Sequence, residues 1–132
     1  MRLRRVEFMI PGSPVPKERP RVVKGHAYTP KRTSDAEAAV RNRALLARAR
    51  WASEAPIRLV CRFYRGDARA CDLDNLSKLI QDALNGITYR DDKQIVILSA
   101  TKSIDRVHPR TEIEIEELSE DVRAGAKEDD DG

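Results

Sequence analysis

Two aspartates stand two residues apart in Asp72-Leu73-Asp74, a lysine follows at Lys78, a third aspartate at Asp82, and an adjacent pair at Asp91-Asp92. In extended backbone leading into a helix, positions i and i+2 point to the same side. Carboxylates held that close repel, and neither stays ionised without a compensating cation. A hard, oxygen-seeking ion such as Mg²⁺, with Mn²⁺ as the alternative, relieves that repulsion. Lys78 lies one helical turn beyond Asp74, and Asp82 one turn further. A metal-activated water beside a lysine that adds positive charge near phosphoryl oxygens is what phosphodiester cleavage requires.

Taken one at a time, these residues have ordinary structural uses. Asp74 serves as a helix N-cap and Asp72 as a partner of the helix dipole. Lys78 forms surface ion pairs of little energetic value with Asp74 or Asp82. Asp91-Asp92 makes a turn. Asp-x-Asp is a weak motif, so the weight rests on the whole string and on the elements that carry it.

The clearest of those elements is a helix in which Leu76, Leu79, Ile80, Ala83 and Leu84 recur at i, i+3, i+4, i+7 and i+8. Asn85-Gly86 stops it. Its apolar stripe sends Asp74, Lys78 and Asp82 to another side. Asp92 then opens a strand from Gln94 to Thr101, and the short connection returns it beside the helix N-terminus. Upstream, Ile57, Leu59, Cys61 and Phe63 alternate with Arg58, Val60, Arg62 and Tyr64, predicting a strand over Pro56 to Tyr64. Gly66 to Cys71 is a loop. Val6 to Ile10 reads as a first strand and Glu112 to Glu116 as a last one. Pro11, Pro14, Pro16, Pro20 and Pro30 exclude a helix between the first strand and residue 30. Lys24-Gly25-His26, flanked by Val22-Val23 and Ala27-Tyr28, suits a small hairpin. Thr33 to Glu37 starts a helix, with hydroxyls for capping and acids in the first turn, that runs to about Arg50. Val40, Ala44 and Ala47 make its apolar stripe. The predicted class is α/β (α+β): a single compact domain over residues 1–118, a mixed sheet and two main helices. Residues 119–132, ending Glu128-Asp129-Asp130-Asp131-Gly132, form an acidic tail without apolar periodicity, expected to be disordered and dispensable for chemistry.

The chain of 132 residues carries a net charge of +3 that hides an asymmetry. The tail holds six acids and two bases, leaving 23 bases against 16 acids in the body. Residues 1–50 alone carry 13 bases and four acids. A basic body favours a polyanionic partner. Lys17, Arg19 and Arg21 in the proline-rich loop are candidate phosphate contacts, with prolines lowering the entropy of ordering it. Arg65 and Arg69 flank the carboxylates as candidate guides of a nucleic-acid backbone. Two cysteines and two histidines make neither a disulfide framework nor a C₂H₂-type zinc site. No stretch has the length of a membrane span, and a reduced, cytoplasmic setting is expected.

Asp72-Leu-Asp-Asn-Leu-Ser-Lys78, then Asp82-Ala-Leu-Asn-Gly86, then Asp91-Asp-Lys-Gln-Ile95 resembles the signature of RusA-family crossover junction endodeoxyribonucleases. Pro14-Val-Pro-Lys-Glu-Arg-Pro-Arg21 with Tyr28-Thr-Pro30 is similar to a block common in prophage members. The resemblance spans about Val6 to Leu118. It implies a homodimer that binds branched DNA, the four-way (Holliday) junction, and nicks two strands symmetrically in recombination and repair. It implies further that Asp72, Asp74 and Asp92 hold Mg²⁺ and that Lys78 assists catalysis. Asp92 corresponds to the second acid of the family's Asp-Asp pair, although spacing also admits Asp91. Better-known members carry a denser arginine run before Asp-x-Asp, where this chain has Ala68, Ala70 and Cys71. Two other readings stay open: a metal nuclease of other branched or flapped DNA, and a junction-binding protein that does not cut.

Overall fold

A computed structural model describes residues 2–122. Six strands and two helices follow in the order β1 (Arg5–Pro11), β2 (Arg21–Val23), β3 (His26–Tyr28), α1 (Lys31–Leu46), β4 (Ile57–Arg65), α2 (Leu73–Leu84), β5 (Ile95–Ile104) and β6 (Arg110–Glu117). The main sheet runs β1-β6-β4-β5. β4 pairs with β6 antiparallel and with β5 parallel, and β1 pairs with β6 antiparallel, which makes the sheet mixed as expected. α2 is the crossover that lets β4 and β5 run parallel.

Alternation along β4 divides its side chains between two environments. Ile57, Leu59, Cys61 and Phe63 meet Ile113 and Ile115 of β6 and the apolar stripe of α2 in one core, joined by Val40 and Ala44 of α1. On the opposite face, cross-strand register sets Arg58 beside Glu116 and Arg62 beside Glu112. Glu114 lies between them, hydrogen-bonded by Arg5, Arg58 and Arg62. Aliphatic stems of such arginines cover apolar surface while their heads stay paired, which accounts for Val60 being buried on this charged face. The domain is thus a two-layer sandwich of helices on one side of a sheet.

Departures from the sequence reading are local. α1 starts at Lys31, two residues early, with Pro30 as its cap and no capping side chain. The Thr33 hydroxyl is instead buried and accepts a hydrogen bond from the Glu18 N–H. α1 ends at Leu46 rather than near Arg50, because Arg48 takes a left-handed φ of 61° and Ala49 N–H returns to the Ala44 carbonyl. Ala47 is therefore the C-cap residue rather than part of the stripe. The hairpin forms at Lys24-Gly25, both with positive φ, the turn that matches strand twist. β5 runs three residues beyond Thr101. Residues 120–122 make a helical turn, and Val122 N–H donates to the Ser119 carbonyl. The rest of the acidic tail lies outside the described residues. No helix among the described residues is long and apolar enough to cross a membrane.

Candidate active site

β4 ends at Arg65 and hands the chain through Gly66–Cys71 to α2, which runs back antiparallel to the strand. Asp72 caps that helix: its Oδ1 accepts from the Asp74 N–H at 3.1 Å. Asp74 stands exposed in the first turn, and its carboxylate has no hydrogen bond or ion pair among the described residues. Between the ordinary uses of the two acids, the structure assigns capping to Asp72 and gives the Asp74 carboxylate no partner among the described residues.

Lys78 lies one turn along, half exposed, with Nζ 3.1 Å from Asp82 Oδ1 and 3.8 Å from Asp92 Oδ2. Asp92 therefore meets the middle of α2, not its N-terminus. The reason is directional: β5 starts at the end of the sheet where α2 finishes, so the residue before it approaches from the helix's C-terminal side. A 3₁₀ turn at Asp92–Gln94 fixes the approach. Asp91 caps the turn by accepting from the Lys93 N–H at 2.9 Å. That hydrogen bond, then contact with the Asp92 carboxyl, holds Asp91 below the usual carboxylate range. Gln94 completes a reciprocal capping box and anchors it, its amide donating to the Ser53 and Ala55 carbonyls at 2.7 and 2.9 Å. The sequence reading makes Gln94 the first residue of the strand; it instead ends the 3₁₀ turn, and Asp91-x-x-Gln94 is a capping-box spacing that signals its role.

The five basic residues singled out from sequence divide into two groups. Lys17 turns inward: Nζ lies 2.9 Å from Glu37 Oε1 of α1 and 3.3 Å from Asp82 Oδ2 of α2. Arg65 is buried, donating to the Arg69 carbonyl at 3.1 Å, and its Nε has no acceptor among the described residues. Arg19, Arg21 and Arg69 are exposed. Lys17, Arg32, Arg65 and Arg69, interspersed with Glu18 and Asp67, line a cleft of about 430 Å³ that reaches Asp72 and Asn75, room enough for a phosphodiester at the helix N-terminus. Tyr89 is fully buried, its hydroxyl bonded to the Gln81 carbonyl, so it packs. Trp51 lies beneath the Arg4 guanidinium, 5.3 Å from its ring centre.

All donors in the Asp72, Asp74 and Asp92 set are carboxylate oxygens, the chemistry a hard divalent cation takes. As the side chains stand, no group of three or more His, Cys, Asp or Glu among the described residues is gathered to hold a metal. Asp72 is engaged as a cap and Asp92 with Lys78. The donor chemistry suits such an ion.

A profile of the family described as Endodeoxyribonuclease RusA matches residues 11–116. A curated protein of Bacillus subtilis (strain 168), named Uncharacterized protein YqaN, is 44% identical over 48 residues, 36% of this chain and 33% of that protein. The match therefore spans about a third of that relative's length. The profile match takes in the proline-rich loop, both helices, the Asp72-x-Asp74 cap, Lys78 and the Asp91-Asp92 turn, and on that extent the chain belongs to the endodeoxyribonuclease RusA family.

Proposed function

We propose that the chain is a divalent-metal-dependent endonuclease that resolves four-way (Holliday) junctions by paired symmetric nicks, acting as a cytoplasmic homodimer in DNA recombination and repair. The observation that carries the reading is the family match over residues 11–116, with Asp74 unpartnered among the described residues one turn from a half-exposed Lys78. Asp72, Asp74 and Asp92 would hold Mg²⁺ or Mn²⁺, which when bound supplies a nucleophilic water and charge neutralisation at the phosphate.

What the chain's own residues do follows from their placement. Lys78 lies on the exposed side of α2, where it meets the negative charge that develops on phosphoryl oxygens. Arg69, which lines the cleft, and Arg19 and Arg21, exposed on the proline-rich loop, take flanking phosphates and set the register of the DNA. Arg65, bonded to the Arg69 carbonyl and 3.7 Å from Asp67, adds positive charge to the cleft floor. The homodimer finds support in β5, a ten-residue edge strand bonded to β4 on one side, with Val96, Ile97, Leu98 and Ile104 exposed. A second reading, a junction-binding protein that does not cut, draws on the absence of a gathered carboxylate cluster among the described residues.

End-labelled four-way junctions, flaps, forks and linear duplex, incubated with the chain in Mg²⁺, Mn²⁺ or EDTA, separate these readings. Symmetric paired nicks in the four-way junction, lost in EDTA and reduced at least 100-fold by Asp74→Asn with junction binding kept, are the expected result. Cleavage confined to flaps or forks would move the substrate to other branched DNA. Tight junction binding with no cleavage in either metal would establish the non-cutting reading.

A further inference from the structure

Lys17 ties the proline-rich loop to both helices. Lys17 N–H donates to the Asn75 carbonyl of α2 at 2.9 Å, and its ammonium lies between Glu37 of α1 and Asp82 of α2. Just 24% of the Lys17 side chain is exposed, against 66% for Arg21. An ammonium already shared by two carboxylates has little left for a DNA phosphate. Its effect is felt further along: Asp82 gives Oδ2 to Lys17 and Oδ1 to Lys78, and Lys78 in turn lies 3.8 Å from Asp92. Glu37, Lys17, Asp82, Lys78 and Asp92 thus form a row of five alternating charges from the core edge of α1 to the candidate catalytic surface.

Each link constrains the next. Glu37 is 12% and Asp82 23% exposed in their side chains, so leaving both without Lys17 places two poorly solvated anions near each other. Arg41, 3.9 Å from Glu37, compensates one of them weakly. Asp82 would then take the remaining nearby cation, Lys78, with both oxygens and draw it away from Asp92. With Lys17 in place, Asp82 offers Lys78 one oxygen, and the ammonium stays between Asp82 and Asp92.

We infer that Lys17 is a positioning residue: by binding Glu37 and one oxygen of Asp82 it sets where Lys78 stands, and the proline-rich loop thereby acts on the reaction as well as on DNA. The inference rests on the reading of Lys78 given above. Arg19 and Arg21, two and four residues further along and exposed, are the loop's phosphate contacts.

The test measures two quantities on the full chain for Lys17→Met, Lys17→Arg, Arg19→Gln and Lys78→Ala: junction Kd across a salt series without cleavage, and single-turnover cleavage at saturating junction with Mg²⁺. Lys17→Met should lower the saturated rate at least tenfold, with Kd and its salt slope within twofold of the parent. Lys17→Arg, whose fork reaches both carboxylates, should recover the rate to within about threefold. Arg19→Gln, at a phosphate contact, should weaken binding and reduce the salt slope by about 1. A Lys17→Met protein that cuts at the parental rate when saturated, but binds more weakly with a shallower salt slope, overturns the inference and makes Lys17 a phosphate contact. If Lys17→Met does not fold, Lys17→Met/Glu37→Gln removes the orphaned anion. A folded double variant that is still slow supports positioning, and one that cuts normally overturns it. Normal cleavage by Lys78→Ala would instead overturn the reading of Lys78, whereas a slow Lys78→Ala beside a normal Lys17→Met sinks this inference alone.

Discussion

Asp91 and Asp92 are adjacent, chemically identical and differently employed. The Asp91 carboxylate is consumed locally, capping the turn through the Lys93 N–H and held below its ordinary range by that bond. Asp92 leaves the turn towards Lys78. Changing each to Asn should therefore separate two effects. Asp91→Asn keeps a capping oxygen and should shift the urea midpoint little while cleavage stays within a few-fold. Asp92→Asn should leave the fold intact and lower cleavage by at least 100-fold. Urea unfolding and junction cleavage on both variants check this, and the reverse pattern would make Asp91 the working acid. Lys78→Ala belongs beside them. Its ion pairs are half exposed and contribute little to stability, so the melting temperature should move by no more than a degree or two while turnover falls at least tenfold.

At the scale of elements, β5 has the least conventional surroundings. Val96, Ile97 and Leu98 are between 38% and 47% exposed and Ile104 is 51% exposed, on a strand whose outer edge has no partner among the described residues. Lys102 is its single charged residue. Proteins usually blunt such an edge with charge, proline or a bulge. Pairing of two β5 edges is the arrangement the proposed homodimer would use, and Leu98→Lys should then shift the mass in solution from twice the 15.0 kDa chain to one copy. Light scattering on the eluting protein decides it, and an unchanged dimer would place the interface elsewhere. The elements themselves were unequally legible. α2 announced itself because five apolar residues keep one 3.6-residue stripe, and β4 because its alternation is nearly unbroken. The start of α1 was misplaced because Thr33 and Ser34 look like caps, whereas tertiary packing buries Thr33 against the proline-rich loop. The candidate site was legible as a list of residues and not as an arrangement. Sequence spacing put Asp92 near the helix N-terminus, yet strand direction carries it to Lys78. Nothing in the order of residues shows that Lys17 turns inward while Arg19 turns out, since that depends on Glu37 and Asp82 meeting between two helices.

For the molecule as a whole, the open face of the sheet and the rim near the N-terminus are held by charge rather than by apolar cover. Glu117 is the most exacting case. Its carboxylate accepts from the Arg4 side chain at 2.7 and 3.0 Å and from the Ser53 hydroxyl at 2.5 Å, and is nearly buried. The Arg4 guanidinium, followed by the Ser53 hydroxyl and the Arg4 N–H, draws its pKa down to about 2 from an ordinary 4.5. A carboxylate whose folded pKa is depressed stabilises the fold fully above its unfolded value and loses that contribution as pH falls through the folded one. Stability should therefore decline from about pH 4.5 towards pH 2 on account of this group. Glu114, drawn down by Arg58 and then Arg5, adds in the same direction. Glu117→Gln keeps the shape but not the charge, and should lower unfolding free energy at pH 7 by about 2 kcal/mol, discounted for the half-exposed Arg4. The gap between the parent and Glu117→Gln should narrow as pH drops below 4.5, because the parent protonates into a similarly neutral group. Urea unfolding at pH 7, 4 and 3 measures that gap. A difference that stays constant over this range would mean that Glu117 contributes through its hydrogen-bonded shape, with its charge contributing nothing to the closure of β6 against the N-terminal segment.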